Sequence, residues 1–333
     1  MAIRIGVAGV GKVAREEYLP VLAREPDVAL AYWNRTPERA RAAAATFGGT
    51  ALDSLAELAA WKPDAAMVLT SEQARYDVSR ALIAGGLPRI FFEKPLVAMG
   101  GQAAVTEEDF VKGRELLALA RERGCETAMV FNYRFFEQTQ RAKREVASRS
   151  LGQVTNITAL VHFACWSHCI DLVRHFAGDI AEIAALDGAR HASPELAISA
   201  TDVAAAFVTD TGAAGTIVGT LAMQWGHPLY ELTFTFERGR VHLRDLDGAL
   251  EILDPASGAH ETVSLVRDHS RWDAYRDSFR KAVTAYVSSV RERRPPPVAG
   301  MEGLRELQVE AALRRAARER RIVRVNDEFP VDG

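Results

Sequence analysis

The sequence predicts an α/β protein in which a doubly wound parallel sheet precedes an α+β domain with a large, mainly antiparallel, open sheet. Three observations predict this fold. Short apolar runs alternate with helical stretches up to residue 131, hairpin-like strand patterns dominate after residue 132, and 333 residues fit about two domains. We therefore place one domain at residues 1–131 and a second at residues 132–333.

Five apolar runs of the first domain predict β-strands: IRIGVAGV, VALAYWN, AAMVLT, RIFFEK and ETAMVFNY. Helical stretches separate them, namely residues 12–24, PERARAAAATFG, RYDVSRALIAGG and EEDFVKGRELLALARERG. Some of these stretches end in glycine, as helix C-termini often do. Strands that alternate with helices of this length pair in parallel through right-handed crossovers.

The second domain opens with a predicted helix (EQTQRAKREVASRS), a strand (GQVTNITALVHF) and a helix that contains SHCIDLVRH. Strand-like runs follow: AEIAALDGA, TDVAAAFVTDT, AAGTIVGTLAMQW, YELTFTFERGRVHLRD and ALEIL. Turn signals such as DTGAAG and ERGR separate them and indicate hairpins. Two helices joined by PPPVAG end the sequence.

The composition is that of an ordinary soluble protein, with 48% hydrophobic and 26% charged residues and a formal net charge of −3. This balance gives no basic surface for nucleic acid and no general attraction to anionic membranes. We expect no signal peptide and no membrane span. Three cysteines are too few for a disulfide framework, which favours a reducing, cytoplasmic setting.

A glycine-rich loop joins the first strand to the first helix. Residues 9–14 have the pattern G-x-G-x-x-A, in which Gly9 permits the tight turn, Gly11 lets the backbone approach a pyrophosphate and Ala14 keeps the helix close to the sheet. The helix N-terminus favours the negative charge of the phosphates. The context of strand, turn and helix therefore predicts a dinucleotide-binding Rossmann domain.

The end of the second strand predicts which dinucleotide binds. An NAD enzyme usually has an acidic residue here for the adenosine ribose, but this chain has Asn34, followed by Arg35 and Thr36. Asparagine does not repel a 2′-phosphate, and arginine and threonine can bind one. We expect NADP(H) in preference to NAD(H), although the same residues also suit a solvated turn in which Thr36 caps the next helix. The residues expected at the cofactor are Gly9, Val10, Gly11, Lys12, Val13, Asn34, Arg35, Thr36, Thr70, Glu93 and Lys94.

The fourth strand ends in Glu93-Lys94-Pro95, at the carboxyl edge where open α/β sheets bind ligands. A residue before proline favours extended geometry, so Lys94 is expected to project into the crevice. With these motifs the chain resembles the glucose–fructose oxidoreductase / inositol dehydrogenase / rhizopine catabolism (Gfo/Idh/MocA) family. The matching segments are GVAGVGKVA, FFEKPL, FNYRF, SHCIDLVRHFAG and GLRELQVEAALRRAARERRIV, in the right order along nearly the whole chain.

The resemblance implies an NAD(P)-dependent enzyme that acts on sugars or cyclic polyols. It implies that Lys94 lies beside the nicotinamide and that His168 exchanges a proton with the substrate oxygen. Asp171, one helical turn further on, is expected near the substrate hydroxyls as the third catalytic residue. The family also implies a homodimer or homotetramer formed through the open face of the second sheet.

The segment HFACWSHCIDLVRH, residues 162–175, allows two other interpretations. His168, Asp171 and His175 share one helix face, which also suits an amphipathic helix, and we treat His175 as packing. A zinc site would use two histidines and two cysteines of one strand–helix junction. So compact a set could hardly surround a tetrahedral ion, so we expect no metal.

The family often carries an aspartate four residues before this histidine, and here the residue is Ala164. The strand-to-helix connection is also short. A short connection leaves the pocket open, and an open pocket suits a bulky, nucleotide-linked or glycosidic sugar. The expected substrate contacts are His162, Trp166, Tyr133 and Arg134. Packing at the domain crossover is the alternative for Tyr133 and Arg134.

We therefore predict an NADP(H)-dependent oxidoreductase that transfers a hydride to or from a ring carbon of a sugar, ketosugar or cyclic polyol. Reduction of a C=N bond or of a non-sugar carbonyl on the same scaffold is the first alternative, because it needs less recognition of hydroxyls. A non-catalytic cofactor-binding protein is the second, and Ala164 is the feature in its favour.

Overall fold

The computed structural model describes residues 2–194, 198–265 and 270–332. The chain divides into two compact units. The first comprises Met1–Phe131 and Phe279–Leu307, and the second comprises Asn132–Ser278 and Gln308–Gly333. None of the helices in the described ranges is long and apolar enough to cross a bilayer.

The first unit contains a six-stranded, fully parallel sheet in the order β3-β2-β1-β4-β5-β6. Its strands are β1 (Ile3–Ala8), β2 (Val28–Trp33), β3 (Thr50–Leu52), β4 (Ala65–Val68), β5 (Arg89–Phe92) and β6 (Glu126–Met129). A π-helical turn (Ala14–Tyr18) continues into α1 (Leu19–Leu22), and the other helices of this part are α2 (Pro37–Phe47), α3 (Leu55–Ala60), α4 (Glu72–Ala84) and α5 (Glu107–Glu122).

The second unit contains a nine-stranded sheet in the order β14-β13-β12-β11-β7-β10-β9-β8-β15, and all its pairs except β7–β10 are antiparallel. Its strands are β7 (Val154–His162), β8 (Ile180–Ser193), β9 (Ile198–Thr209), β10 (Ala214–Thr220), β11 (Tyr230–Phe236), β12 (Gly239–Arg244), β13 (Ala249–Asp254), β14 (Ala259–Ser264) and β15 (Val323–Arg324). The helices introduced here are α6 (Glu137–Ser148), α7 (Trp166–Ala177) and α10 (Val325–Glu328), while α8 (Arg271–Arg291) and α9 (Gly300–Glu319) contribute residues to both units. The two sheets confirm the predicted fold class.

Side chains of β9 and β10 alternate between buried and exposed positions, as expected of strands with one covered face. The other face of the sheet carries exposed apolar side chains. They include Leu160 and Leu186, with exposed fractions of 40% and 67%, and a shallow depression of about 690 Å³ is lined there by alanines, Leu186 and Val218.

Residues 279–307 were assigned to the second domain from the sequence, but they pack with the first unit. The reason is apolar contact with its sheet and helices. The ring of Tyr286 lies 4.7 Å from that of Phe91. A Cβ atom on Gly113 of α5 would lie only 3.0 Å from Leu307. Close packing of this kind makes the returning segment part of the parallel-sheet unit.

Candidate active site

Four of the predicted cofactor residues follow neighbouring parallel strands. Gly9 follows β1, Thr70 follows β4, and Glu93 and Lys94 follow β5. Because β1, β4 and β5 are adjacent and parallel, their carboxyl ends meet at one edge of the sheet. The strand order reverses between β1 and β4, which is the position where open α/β sheets bind ligands.

The glycine loop has the geometry that its motif predicts. Gly9 has φ +99°, and a Cβ atom there would lie 2.5 Å from the backbone nitrogen of Thr70, so a side chain cannot be accommodated. A Cβ atom on Gly11 would meet nothing within 4 Å, which leaves space above the loop. Lys12 and Val13 are exposed at the start of the helix, and the Ala14 methyl is buried.

Asn34 supports the glycine loop directly. Its Oδ1 atom accepts a 2.9 Å hydrogen bond from the N–H of Val10, and its Nδ2 atom donates to the carbonyl of Thr36 at 3.0 Å. Thr36 precedes α2 as its N-cap, although its side chain makes no capping hydrogen bond. Arg35 and Thr36 are exposed, so both side chains can reach a ligand at the strand end.

Glu93 is buried, and both oxygens of its carboxylate are used. Oε1 accepts from the Tyr18 hydroxyl at 2.9 Å, and Oε2 accepts from the backbone N–H of Lys94 at 2.6 Å. The Lys94–Pro95 peptide bond is cis. The Nζ atom of Lys94 donates to Oε1 of Gln102 at 3.2 Å.

Arg75 of α4 is a buried cation that the sequence analysis missed. Its guanidinium donates to the Thr70 carbonyl at 3.0 Å and to the Pro95 carbonyl, so it ties together the segments that follow β4 and β5. Burial lowers its pKa, and the nearby Glu93 and Glu72 carboxylates oppose that change. A lone arginine in a helical pattern gives no sequence signal for this role.

In the second unit, His168 lies on α7 and stacks on Tyr133. The ring centroids are 4.0 Å apart and the planes differ by 12°. The Tyr133 hydroxyl donates to the Cys165 sulfur at 3.1 Å. Both rings are almost fully buried, and Tyr230 stacks on Tyr133 at 5.5 Å, so the histidine is fixed by a column of rings. Burial raises the pKa of Tyr133 well above its ordinary value, and its phenol therefore stays neutral.

Asp171 is fully buried, one turn beyond His168, and forms a two-point ion pair with Arg134. Nε of Arg134 lies 2.8 Å from Oδ2, and Nη2 lies 2.5 Å from Oδ1. Such a fork orients both groups. The predicted catalytic aspartate and the predicted substrate-binding arginine are thus brought together.

His162 and Trp166 lie at the junction of β7 and α7, which a three-residue 3₁₀ turn joins. Nδ1 of His162 accepts from the N–H of Ala164 at 3.1 Å, so a neutral His162 carries its proton on Nε2. Trp166 is 2% exposed and packs on Phe163 at 5.3 Å. It therefore offers little surface to a substrate in this conformation, and its contact with substrate stays a prediction.

A cleft of about 540 Å³ adjoins His162 and has a largely polar lining that includes His191, Ser193, Gln224 and Trp225. Trp225 packs on His162 with centroids 5.2 Å apart. Two groups fix the loop that carries it. The Asp202 carboxylate accepts from the Thr220 hydroxyl and the Leu221 N–H. The Arg271 guanidinium donates to the Trp225 carbonyl.

His175 is half-buried at the end of α7. Burial lowers its pKa from 6.5 to about 3, and the nearby cations Arg134, Lys143 and Arg174 add to this effect. The imidazole is therefore neutral at ordinary pH. Its backbone carbonyl accepts from Nζ of Lys143 at 2.6 Å.

No group of three His, Cys, Asp or Glu side chains within residues 2–194, 198–265 and 270–332 is arranged to hold a metal ion. Cys165 and Cys169 are buried and form no disulfide bond, and burial raises the pKa of Cys169 well above its ordinary value. Cys165 instead accepts the Tyr133 hydrogen bond.

Comparison with solved structures gives the same fold along nearly the whole chain. An oxidoreductase from Agrobacterium radiobacter, in complex with NAD⁺, L-tartaric acid and magnesium, is 16% identical, with a TM-score of 0.81 over 98% of this chain and 100% of that one. The WlbA dehydrogenase from Bordetella pertussis, in complex with NADH and UDP-GlcNAcA, is 19% identical, with a TM-score of 0.75 over 97% of this chain and 99% of that one.

Sequence comparison gives two further matches. A dTDP-3,4-didehydro-2,6-dideoxy-α-D-glucose 3-reductase from Streptomyces violaceoruber is 36% identical over 137 residues, which are 40% of this chain. The match spans 36% of that relative's length. The model of the oxidoreductase family GFO_IDH_MocA, described by its NAD-binding Rossmann fold, matches residues 3–131. Residues 3–131 therefore match the GFO_IDH_MocA oxidoreductase family, as the motifs of this part of the chain predicted, and the solved structures share the fold of nearly the whole chain.

Proposed function

We propose that this protein is an NADP(H)-dependent oxidoreductase that moves a hydride between the nicotinamide and a ring carbon of a sugar, ketosugar or cyclic polyol. One observation carries the proposal. The glycine loop, Thr70 and the Glu93-Lys94 pair follow adjacent parallel strands, so a phosphate-binding turn and an ammonium group share one sheet edge.

The residues at this edge fit a dinucleotide. Gly11 leaves open space above the loop, and the exposed start of the helix offers backbone N–H groups to a pyrophosphate. The buried hydroxyl oxygen of Thr70 has no hydrogen-bond partner among the described residues, so it can form a hydrogen bond with the dinucleotide. Preference for NADP(H) is supported by uncharged Asn34 and by exposed Arg35 and Thr36, which suit a 2′-phosphate.

The bound nicotinamide supplies or accepts the hydride, and the chain's own groups handle the charge on oxygen. In the reductive direction, the Lys94 ammonium donates a hydrogen bond to the carbonyl oxygen and stabilises its developing negative charge. His168 gives a proton to the same oxygen, and in the oxidative direction it takes that proton back. Asp171 holds Arg134, which we propose as the group that orients substrate hydroxyls.

A nucleotide-linked sugar is the substrate class that we favour. The Streptomyces relative is by its name a reductase of a dTDP-linked sugar, and the WlbA structure contains a UDP-linked sugar. The polar cleft beside His162 supports the same class, because an indole face, imidazoles and an amide suit a sugar or nucleobase ring.

We also propose that the protein forms homo-oligomers through the open face of the nine-stranded sheet. The exposed Leu160, Leu186, Val208 and Val218 make this face apolar, and exposed apolar patches mark interaction surfaces. A second copy of the chain would cover the patch. The outcome is a dimer, or a tetramer if a second face is also used.

Substitution of Lys94 by alanine tests the catalytic assignment. We expect turnover of dTDP- and UDP-linked ketosugars, followed by the loss of NADPH absorbance, to fall by about 10³-fold or more, while NADPH binding by fluorescence titration is kept. Lys62→Gln, at an exposed lysine of the same unit, is the matched control. Turnover that survives in Lys94→Ala would show that this reaction does not use the lysine.

A further inference from the structure

A turn-rich segment, residues 98–106, follows the Glu93-Lys94-Pro95 motif and leads into α5. The Gly101 N–H donates to the Ala98 carbonyl at 3.0 Å, and the Ala104 N–H donates to the Gly101 carbonyl at 2.9 Å. Gly101, where the two turns meet, has φ +93°, a conformation that glycine adopts readily. These two reverse turns bring the middle of the segment, Gln102, to the side chain of Lys94.

The segment is fixed at both of its ends and near its centre. The buried carboxylate of Asp109 accepts from the Met99 N–H at 2.7 Å and from the Thr106 N–H at 2.8 Å, and it closes the capping box of α5. Near the centre, Oε1 of Glu72 accepts from the Gln102 N–H at 3.4 Å. An anchored backbone gives the Gln102 side chain a defined place.

We propose that Gln102 is a positioning residue for Lys94, because its amide oxygen accepts a 3.2 Å hydrogen bond from Nζ. The contact holds the side chain of Lys94 in one orientation. This inference rests on the catalytic role proposed for Lys94. It assigns a positioning role to a residue outside the Glu93-Lys94-Pro95 motif.

Charged groups surround this contact within the first unit. Glu93 precedes Lys94, Glu72 contacts the Gln102 backbone, and the buried guanidinium of Arg75 is coupled to both carboxylates. The Tyr18 hydroxyl takes up one oxygen of Glu93. Among these groups, Gln102 contributes an uncharged hydrogen-bond acceptor to Lys94.

An amide suits an ammonium that must also serve a substrate. A carboxylate acceptor adds Coulomb attraction between opposite charges to the hydrogen bond from an ammonium, and a neutral amide does not. A carboxylate at position 102 would therefore hold the ammonium too firmly, and an alkyl side chain would release it. Glutamine orients the donor and leaves it available to the substrate oxygen.

Chemical labelling of the ligand-free protein tests the contact without any turnover. Trinitrobenzenesulfonate reacts with accessible amines, and the labelling rate at Lys94 is measured by peptide mass spectrometry at one fixed pH. In Gln102→Leu, which releases Nζ from its acceptor, we expect this rate to rise about fivefold or more, and in Gln102→Glu, which holds Nζ more firmly, we expect it to fall. Gln73→Leu, at an exposed glutamine of α4, and the exposed Lys62 are the controls.

Kinetics provide the second measurement. With a nucleotide-linked ketosugar, kcat in Gln102→Leu should fall about tenfold to a hundredfold, while KM changes by less than about threefold. Labelling rates and kcat values that match those of Gln73→Leu would overturn the positioning role. Full turnover in Lys94→Ala would instead overturn the proposed function, even if the labelling rates change.

Discussion

The ring of Tyr133 lies flat on the imidazole of His168, with centroids 4.0 Å apart and planes at 12°. Both side chains of the stack are buried, and the Tyr133 hydroxyl donates a hydrogen bond to the Cys165 sulfur. The tyrosine therefore acts on the histidine through its ring face rather than through its hydroxyl.

Substitutions at Tyr133 separate these two parts of the side chain. Tyr133→Phe keeps the stack, so we expect kcat within about threefold of the parent and a loss of about 1 kcal/mol of stability from the missing hydrogen bond. Tyr133→Leu removes the flat surface and should lower kcat about tenfold or more, because the imidazole loses its orientation. Steady-state kinetics and urea unfolding measure both effects, and equal kcat values in the two variants would argue against the stack.

The Arg134–Asp171 pair allows a double-mutant cycle. Removing Arg134 alone leaves a fully buried carboxylate without its guanidinium fork, and we expect Arg134→Met to cost about 3–5 kcal/mol of unfolding free energy. Asp171→Leu with Arg134→Met should recover most of that loss, since the two apolar groups can pack. Denaturant unfolding gives the coupling energy, and additive losses would mean that the two groups act separately.

The low pKa of His175 makes stability depend on pH. The folded protein keeps this imidazole neutral down to about pH 3, whereas the unfolded chain binds a proton below about 6.5. Stability is therefore complete above 6.5 and falls as the pH drops towards 3. The loss at about pH 5 is about 2 kcal/mol for this one group.

Urea unfolding at about pH 7.5 and about pH 5 measures the effect of His175. The variant His175→Gln cannot titrate, so its stability should change less between the two conditions than that of the parent. A control at the exposed His260, His260→Gln, should keep the parent's dependence. Equal slopes in the parent and in His175→Gln would exclude His175 as the titrating group.

Periodicity predicted the long elements of both units, because a continuous buried face leaves a regular pattern. Short elements such as β3 and α3, with three and six residues, lack that pattern and were missed. The glycine loop and Lys94 were visible because local motifs carry them. Arg75 and Gln102 were not, since their contacts depend on which strand ends and loops the fold brings together.

Cofactor preference can be tested at Asn34. Asn34→Asp keeps the oxygen that accepts from Val10 but adds a negative charge beside the proposed 2′-phosphate site. We expect KM for NADPH to rise about tenfold or more, because the added charge repels the 2′-phosphate. KM for NADH should change little, because NADH lacks that phosphate. Arg35→Gln should weaken NADPH binding in the same direction. If both substitutions leave the ratio of the two cofactors unchanged, the ribose lies elsewhere.

The apolar face of the nine-stranded sheet predicts the assembly state. Leu186 of β8 is 67% exposed on that face. Val218 of β10, on the other side of β9, is exposed there too, and a second copy of the chain would bury both. Leu186→Asp places a charge in the proposed interface, where desolvation without a partner is costly. Light scattering after size exclusion should therefore show an oligomer for the parent and a monomer for the variant. Lys62→Gln, at an exposed lysine of the first unit, should leave the parent's mass unchanged. A monomeric parent would mean that the face serves a different partner, and an oligomeric Leu186→Asp variant would place the interface on another surface.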